Sequence, residues 1–225
     1  PTKMKLDIVF EDESLLIVNK PPFIPVHPSL NYYENSLSNG VKYYFESINL
    51  HKKIRPVNRL DKDTSGLVIF AKNEYIQECL IYQMKTGDFH KKYLAILDGF
   101  LSEKTGTISA PIARKNGSII EREINFENGQ NAITDFLVIK QNKNFSLVEF
   151  KLLTGRTHQI RVHSKYMSHP ILGDSLYGTI NTNTLINRQA LHAYSISFIH
   201  PITHSKINLE CKLPQDMQSI LENFD

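Results

Sequence analysis

The chain has 225 residues, of which 41% are hydrophobic, 10% aromatic and 22% charged, a balance that supports a sizeable core and excludes an intrinsically disordered chain. No apolar run approaches the roughly 18 residues of a membrane span and no signal-peptide pattern opens the sequence, so no membrane association is expected. A formal net charge of +3 selects no partner class, and local basic clusters say more: Lys52, Lys53 and Arg55, then Arg59 and Lys62, Lys91 and Lys92, and Arg156 and Arg161.

In chain order, residues 15–18 read as a short apolar strand stopped by Asn19-Lys20-Pro21-Pro22. Residues 66–71 are apolar on both faces and predict a fully buried strand. Asn73 is placed to N-cap a helix that runs to about residue 85, with Gly87 as its stop. The polar stretch 101–129 carries Gly106, Pro111, Gly117 and Gly129 and reads as hairpins or loops projecting from a sheet, or as a linker between half-domains. Residues 93–97, 135–139, 146–152, 195–199 and 206–213 read as strands; in the last, Ile207, Leu209, Cys211 and Leu213 alternate as on a half-buried antiparallel strand. Pro214 then opens a short helix with Met217, Ile220 and Leu221 on one face. Regular helices do not separate the strands, which argues against a doubly wound parallel sheet and predicts an α+β fold: a central mixed, mostly antiparallel sheet with flanking helices and loops. Cys79 and Cys211 sit alone in apolar surroundings and read as buried structural residues suited to a reducing cytoplasm.

Three segments carry chemistry. In Asn58-Arg59-Leu60-Asp61-Lys62-Asp63-Thr64-Ser65-Gly66 a carboxylate precedes a rigid strand; the same residues also make an ordinary turn. Asp61-Lys62-Asp63-Thr64 partly mimics a phosphatase nucleophile, but without the preceding hydrophobic strand that such a motif needs. Lys91-Lys92-Tyr93-Leu94-Ala95 puts a tyrosine near the start of a strand, where packing is its commoner role. In Thr154-Gly155-Arg156-Thr157-His158-Gln159-Ile160-Arg161-Val162-His163, Thr157 is expected to cap a helix whose Ile160, His163 and Met167 face the core while Arg161 faces elsewhere. Gly155 before that helix lets a phosphate or a backbone approach. His158, His163 and His169 are spaced by five and six, which does not put them on one helical face, and no metal is expected.

Together and in this order, the three segments resemble the RluA-type pseudouridine synthases, which isomerise uridines in large-subunit ribosomal RNA and some tRNAs. The likeness continues through His169-Pro170-Ile171-Leu172-Gly173-Asp174, Tyr177-Gly178, Leu191-His192-Ala193 and His200-Pro201, and near the start through Asp7-Ile8-Val9-Phe10-Glu11-Asp12 and Val18-Asn19-Lys20-Pro21. It covers nearly the whole chain. One departure is Asn58, where the family usually has a histidine; an amide hydrogen-bonds but cannot titrate.

The resemblance implies a pseudouridine synthase fold over residues 1–225, with the family's S4-type RNA-binding domain absent from this chain, trimmed from it or never present. It implies that Asp61 is the nucleophile, on the sugar or the base, or the group that abstracts a ribose proton. Arg161 would pair with Asp61 and keep it ionised, and Tyr93 would stack on the uracil near C5. Arg59 would fill the place of the flipped nucleotide. Leu191 would wall the pocket, while Arg156, Lys92 and Gln159 would bind substrate, the basic ones at phosphates. RNA is the implied partner, ribosomal or transfer. No cofactor or metal, no protein partner that can be inferred, a monomer and a cytoplasmic location complete the expectation. Its rivals are a catalytically silent RNA-binding module, a magnesium-dependent phosphatase using Asp61 and Asp63, and a glycosidase, for which no second carboxylate is obviously paired with Asp61.

Overall fold

The structure, a computed structural model, describes residues 1–30, 32–179 and 185–222. Along the chain the elements are β1 (Ile8–Glu11), β2 (Leu15–Lys20), α1 (Leu37–Ser47), β3 (Arg55–Pro56), β4 (Ser65–Ala71), α2 (Glu74–Thr86), β5 (His90–Asp98) and β6 (Thr105–Ser109). They continue with β7 (Ile112–Arg114), β8 (Arg122–Ile124), β9 (Ile133–Gln141), β10 (Phe145–Leu152), α3 (Gln159–Tyr166), β11 (Leu191–Ile199), β12 (Lys206–Glu210) and α4 (Gln215–Leu221). The chain forms two compact units, Pro1–His90 with Ala193–Lys212, and Lys91–His192 with Leu213–Asp225.

In the first unit the strands lie in the order β1-β2-β4-β11, with β3 added to β4 and β12 to β11. The β1–β2, β2–β4, β3–β4 and β11–β12 pairs are antiparallel. Leu15 and Ile17 of β2 and Leu67, Ile69 and Ala71 of β4 pack with Ile76 and Leu80 of α2 and with Phe89, Ile196 and Phe198. Leu16, Val18, Val68 and Phe70 point to the opposite face and are equally inaccessible, so β4 is covered on both sides, as its unbroken apolar run predicts. Helix α2 has the expected ends: the Asn73 side chain accepts from the Ile76 amide at 2.9 Å, and Gly87 closes the last turn. Helix α1 was not foreseen. Ser36 caps it in a reciprocal capping box with Asn39, and Leu37, Val41 and Phe45, four apart, form its buried stripe. Gly66 sits at φ 120° where a Cβ would lie 2.3 Å from the Ala193 carbonyl oxygen, so only glycine lets β4 start there against β11.

In the second unit the order is β5-β10-β9-β6, all neighbours antiparallel. Strand β6 departs from the reading of residues 101–129 as loops and hairpins. It pairs with β9 from Thr105↔Leu137 to Ser109↔Ile133, although Ile108 is its single apolar side chain, because an edge strand is held mainly by its ladder bonds. The β7–β8 ribbon is a hairpin of the expected kind. Ile112, Ala132, Val162 and Tyr177 form a small core there, with Ile124 and Leu176 against it. The alternation of residues 207–213 is seen in their burial, although β12 itself ends at Glu210. Met217 is buried on α4, with Ile220 and Leu221 half-buried. The fold is thus α+β and mostly antiparallel. No helix of the described residues is long and apolar enough to cross a membrane.

Candidate active site

In the first unit the chain approaches Asp61 along β4. Arg55 and Pro56 pair with Ala71 and Phe70, and the Val57 amide donates to the Ile69 carbonyl at 2.8 Å. Asn58 then replaces the next rung with its side chain. Its Nδ2 donates to the Leu67 carbonyl at 3.0 Å and its Oδ1 accepts from the Ile69 amide at 2.9 Å. Leu60 is buried as a second anchor. The Thr64 amide donates to the Asp61 carbonyl at 3.1 Å, closing a four-residue turn directly before β4.

That turn is fixed from below by Lys20, which is 0% exposed. Its ammonium donates to the carbonyls of Pro21, Ile24 and Lys62 at 2.8, 2.9 and 2.9 Å. A buried cation keeps its charge only where such acceptors replace water. Asp61 is half-buried at the turn, whereas Arg59 is exposed between the buried Asn58 and Leu60. The Arg59 charge, after burial, helps to hold the His27 imidazole below its usual pKa.

In the second unit Tyr93 is buried on β5, opposite Phe150 of β10. Lys92 pairs with Glu149 at 2.9 Å. Burial lowers the pKa of Lys91, whose amine lies 3.9 Å from where a Cβ on Gly155 would stand. Leu191 is buried at the start of β11. The segment before α3 differs from expectation. Thr157 does not cap the helix; the N-terminal cap is His158, in a left-handed conformation at φ 58° with no side-chain capping bond. Gln159 organises the turn instead. Its Oε1 accepts from the Thr154 hydroxyl at 2.8 Å and the Arg156 amide at 2.9 Å, and its Nε2 donates to the Ile133 carbonyl and to Thr134. Gln159 is therefore buried scaffold, while Arg156 is exposed, with Nε on the Asn131 carbonyl at 2.9 Å.

Arg161, expected to face away from the core, is 4% exposed, and every residue from Gln159 to Ser164 is buried. Within this unit Arg161 is held by Asp174, Nε to Oδ2 at 2.7 Å and Nη2 to Oδ1 at 2.8 Å. Its guanidinium also lies over the Tyr177 ring, 5.1 Å from the centroid. The Tyr177 hydroxyl accepts from the Arg122 amide and bonds His158 Nδ1, both at 2.8 Å. Asp174 and Tyr177 belong to the sequence pattern, but nothing in their local sequence marks them as the support of Arg161. Arg188 was missed altogether: it is buried and paired with Asp216 at 2.7 and 2.9 Å. His163 and His169 bond backbone carbonyls, of Ala110 and Asp98, and among the described residues no three potential ligands converge on a metal position.

The family profile of RNA pseudouridylate synthases matches residues 14–166, more than half of the chain. This chain belongs to the RNA pseudouridine synthases. It is 40% identical over 217 residues to the uncharacterized RNA pseudouridine synthase YjbO of Bacillus subtilis, covering 96% of this chain and 76% of that one. It is 38% identical to ribosomal large subunit pseudouridine synthase D of Zymomonas mobilis, covering 99% and 74%. Human RNA pseudouridylate synthase domain containing 1 superposes with a TM-score of 0.76 at 25% identity, covering 98% of this chain and 94% of that one. The synthase is thus an enzyme of RNA modification, with RNA as its substrate.

Proposed function

We propose that this synthase converts a specific uridine of large-subunit ribosomal RNA to pseudouridine, with Asp61 as its nucleophile. The observation that carries the assignment is the turn at Asp61. Lys20 and Asn58 fix its backbone from two sides and leave a half-buried carboxylate after the Arg59-Leu60 pair. A preorganised carboxylate is what attack at the sugar, attack at the base, or ribose proton abstraction all require. In each route the bond from N1 to the sugar breaks, the base turns, a bond from C5 to the sugar forms, and the proton lost from C5 is matched by one gained at N1; a ribose proton abstracted on the way is returned to the sugar.

The roles of the other residues follow the family pattern. Tyr93 stacks on the uracil close to C5. Arg161 acts as the cation that keeps the carboxylate charged, and Leu191 is an apolar wall. Flipping the uridine out of folded RNA costs a few kcal/mol, and Arg59, exposed beside the turn, occupies the vacated place. Arg156 and Lys92 contact phosphates, and Gln159 shapes the loop that presents Arg156. The ribosomal target rests on relatives named as large-subunit synthases. We place the enzyme in the cytoplasm, where such RNA is made in bacteria, working as a monomer and without a cofactor.

Two measurements test this. Chemical labelling and primer extension on total RNA, with and without the gene, are expected to show one or more pseudouridines of large-subunit RNA disappearing; a site lost from tRNA instead overturns the target. Tritium release from RNA carrying 5-tritiated uridine is expected to vanish in Asp61→Asn, and release at the wild-type rate overturns the nucleophile.

A further inference from the structure

A cavity of about 330 Å³ in the second unit is lined by Arg114 and Arg122 of the β7–β8 ribbon and by Arg156 of the loop before α3, with Asn128, Gln130 and Thr157 beside them. Among the described residues no carboxylate lines it. The register puts Arg114 directly opposite Arg122. Like charges in that position oppose pairing of the ribbon, so an anion between them is favoured. Of the acids flanking the ribbon, Glu121 is bound to Lys115 at 3.0 Å. Arg122 gives Nη1 to the carbonyls of Ile120 and Glu121, and Arg156 gives Nε to Asn131, which leaves further N–H donors on both guanidinium groups. Among the described residues the Arg114 side chain makes no hydrogen bond or ion pair.

We propose that this cavity is a subsite for a backbone phosphodiester of the RNA, and that Arg114 and Arg122 are RNA-binding residues alongside Arg156. The inference rests on RNA being the substrate. A guanidinium fork matches two phosphate oxygens at once, and several forks around one concavity fix the strand without reading its bases. Local sequence gave Arg114 and Arg122 no motif; the ribbon's register is what brings them together.

The test is the salt dependence of binding to a transcript of large-subunit ribosomal RNA, between about 50 and 200 mM salt. Arg114→Gln and Arg122→Gln are each expected to weaken binding at low salt several-fold. Each also lowers the slope of log K against log salt by about 0.7 to 0.9, the value for one lost phosphate contact. Arg114→Lys is expected to keep the slope, and Lys85→Gln, on α2, serves as the control. Unaltered slopes in both glutamine variants overturn the subsite, as does an equal fall in the control. Saturable protection of the cavity by inorganic phosphate with unaltered RNA slopes marks a small-anion site and also overturns it. Tritium release by the wild-type enzyme on the same transcript reports the target assignment separately, and the slopes decide the subsite either way.

Discussion

Arg161 and Asp174 form a two-bond ion pair from which water is excluded, with side chains 5% and 0% exposed. Asp174 Oδ1 also accepts from the amides of Leu176 and Tyr177, both at 3.0 Å, so one carboxylate holds the arginine and the turn that carries Tyr177. Asp174→Ala leaves a buried guanidinium uncompensated and is expected to cost about 3–5 kcal/mol in urea unfolding. The double variant Arg161→Met, Asp174→Leu is expected to be more stable than that single variant, since an apolar pair of similar volume removes the stranded charge. It remains inactive if Arg161 serves the reaction, so stability and tritium release separate the structural part of the pair from its catalytic part.

Lys20 makes a second prediction. Its ammonium satisfies three backbone carbonyls, one of them on the residue after Asp61. Lys20→Met keeps the apolar stem but strands those acceptors, at about 1–3 kcal/mol each before relaxation. A loss of about 3 kcal/mol or more in chemical denaturation is expected, together with a fall in kcat from a loosened turn. Stability equal to wild type would show that water replaces the amine.

Asn58, standing where the family usually has a histidine, makes a third. Its amide both donates to and accepts from β4, a pairing in which titration has no part. Asn58→Ala is expected to lower stability by about 2 kcal/mol, because a buried N–H and a buried C=O lose their partner. The pH profile of kcat should keep its shape while its height falls. A changed profile would mean that position 58 acts in proton transfer through a neighbour.

These examples show which features were legible in the sequence. Helix α2 could be read because Asn73 and Gly87 bound it, and β4 because its apolar run is unbroken. Helix α1 escaped because Gly40, Tyr43 and Tyr44 weaken its propensity and its capping box uses Asn39 in place of the usual Glu or Gln. Strand β6 escaped because glycine and threonine dominate it and its pairing is non-local. Asp61, Tyr93 and Arg161 could be singled out from motifs that span the chain. The residues that fix the surroundings of Arg161 and of the Asp61 turn, namely Asp174 for the first and Lys20 and Asn58 for the second, act through contacts 13, 42 and 9 or 11 residues away, and no local pattern encodes them.

His163 supplies a prediction about pH. Its Nε2–H donates to the Ala110 carbonyl at 2.9 Å, so the neutral ring has Nδ1 as acceptor for the Thr134 hydroxyl, also at 2.9 Å. Burial lowers its pKa below the ordinary 6.5. The folded protein therefore resists taking a proton that the unfolded chain accepts once the pH falls below about 6.5. Stability from this residue is complete above that pH and declines as the pH falls toward the lowered folded pKa, so stability rises with pH across the window. His163→Gln, which cannot titrate, is expected to flatten the stability curve as the pH falls below 6.5 while lowering it at neutral pH through imperfect fit. Denaturant midpoints measured at steps through that range check it. A wild-type curve that is flat there, or a variant that retains the full slope, shows that another group takes up the proton.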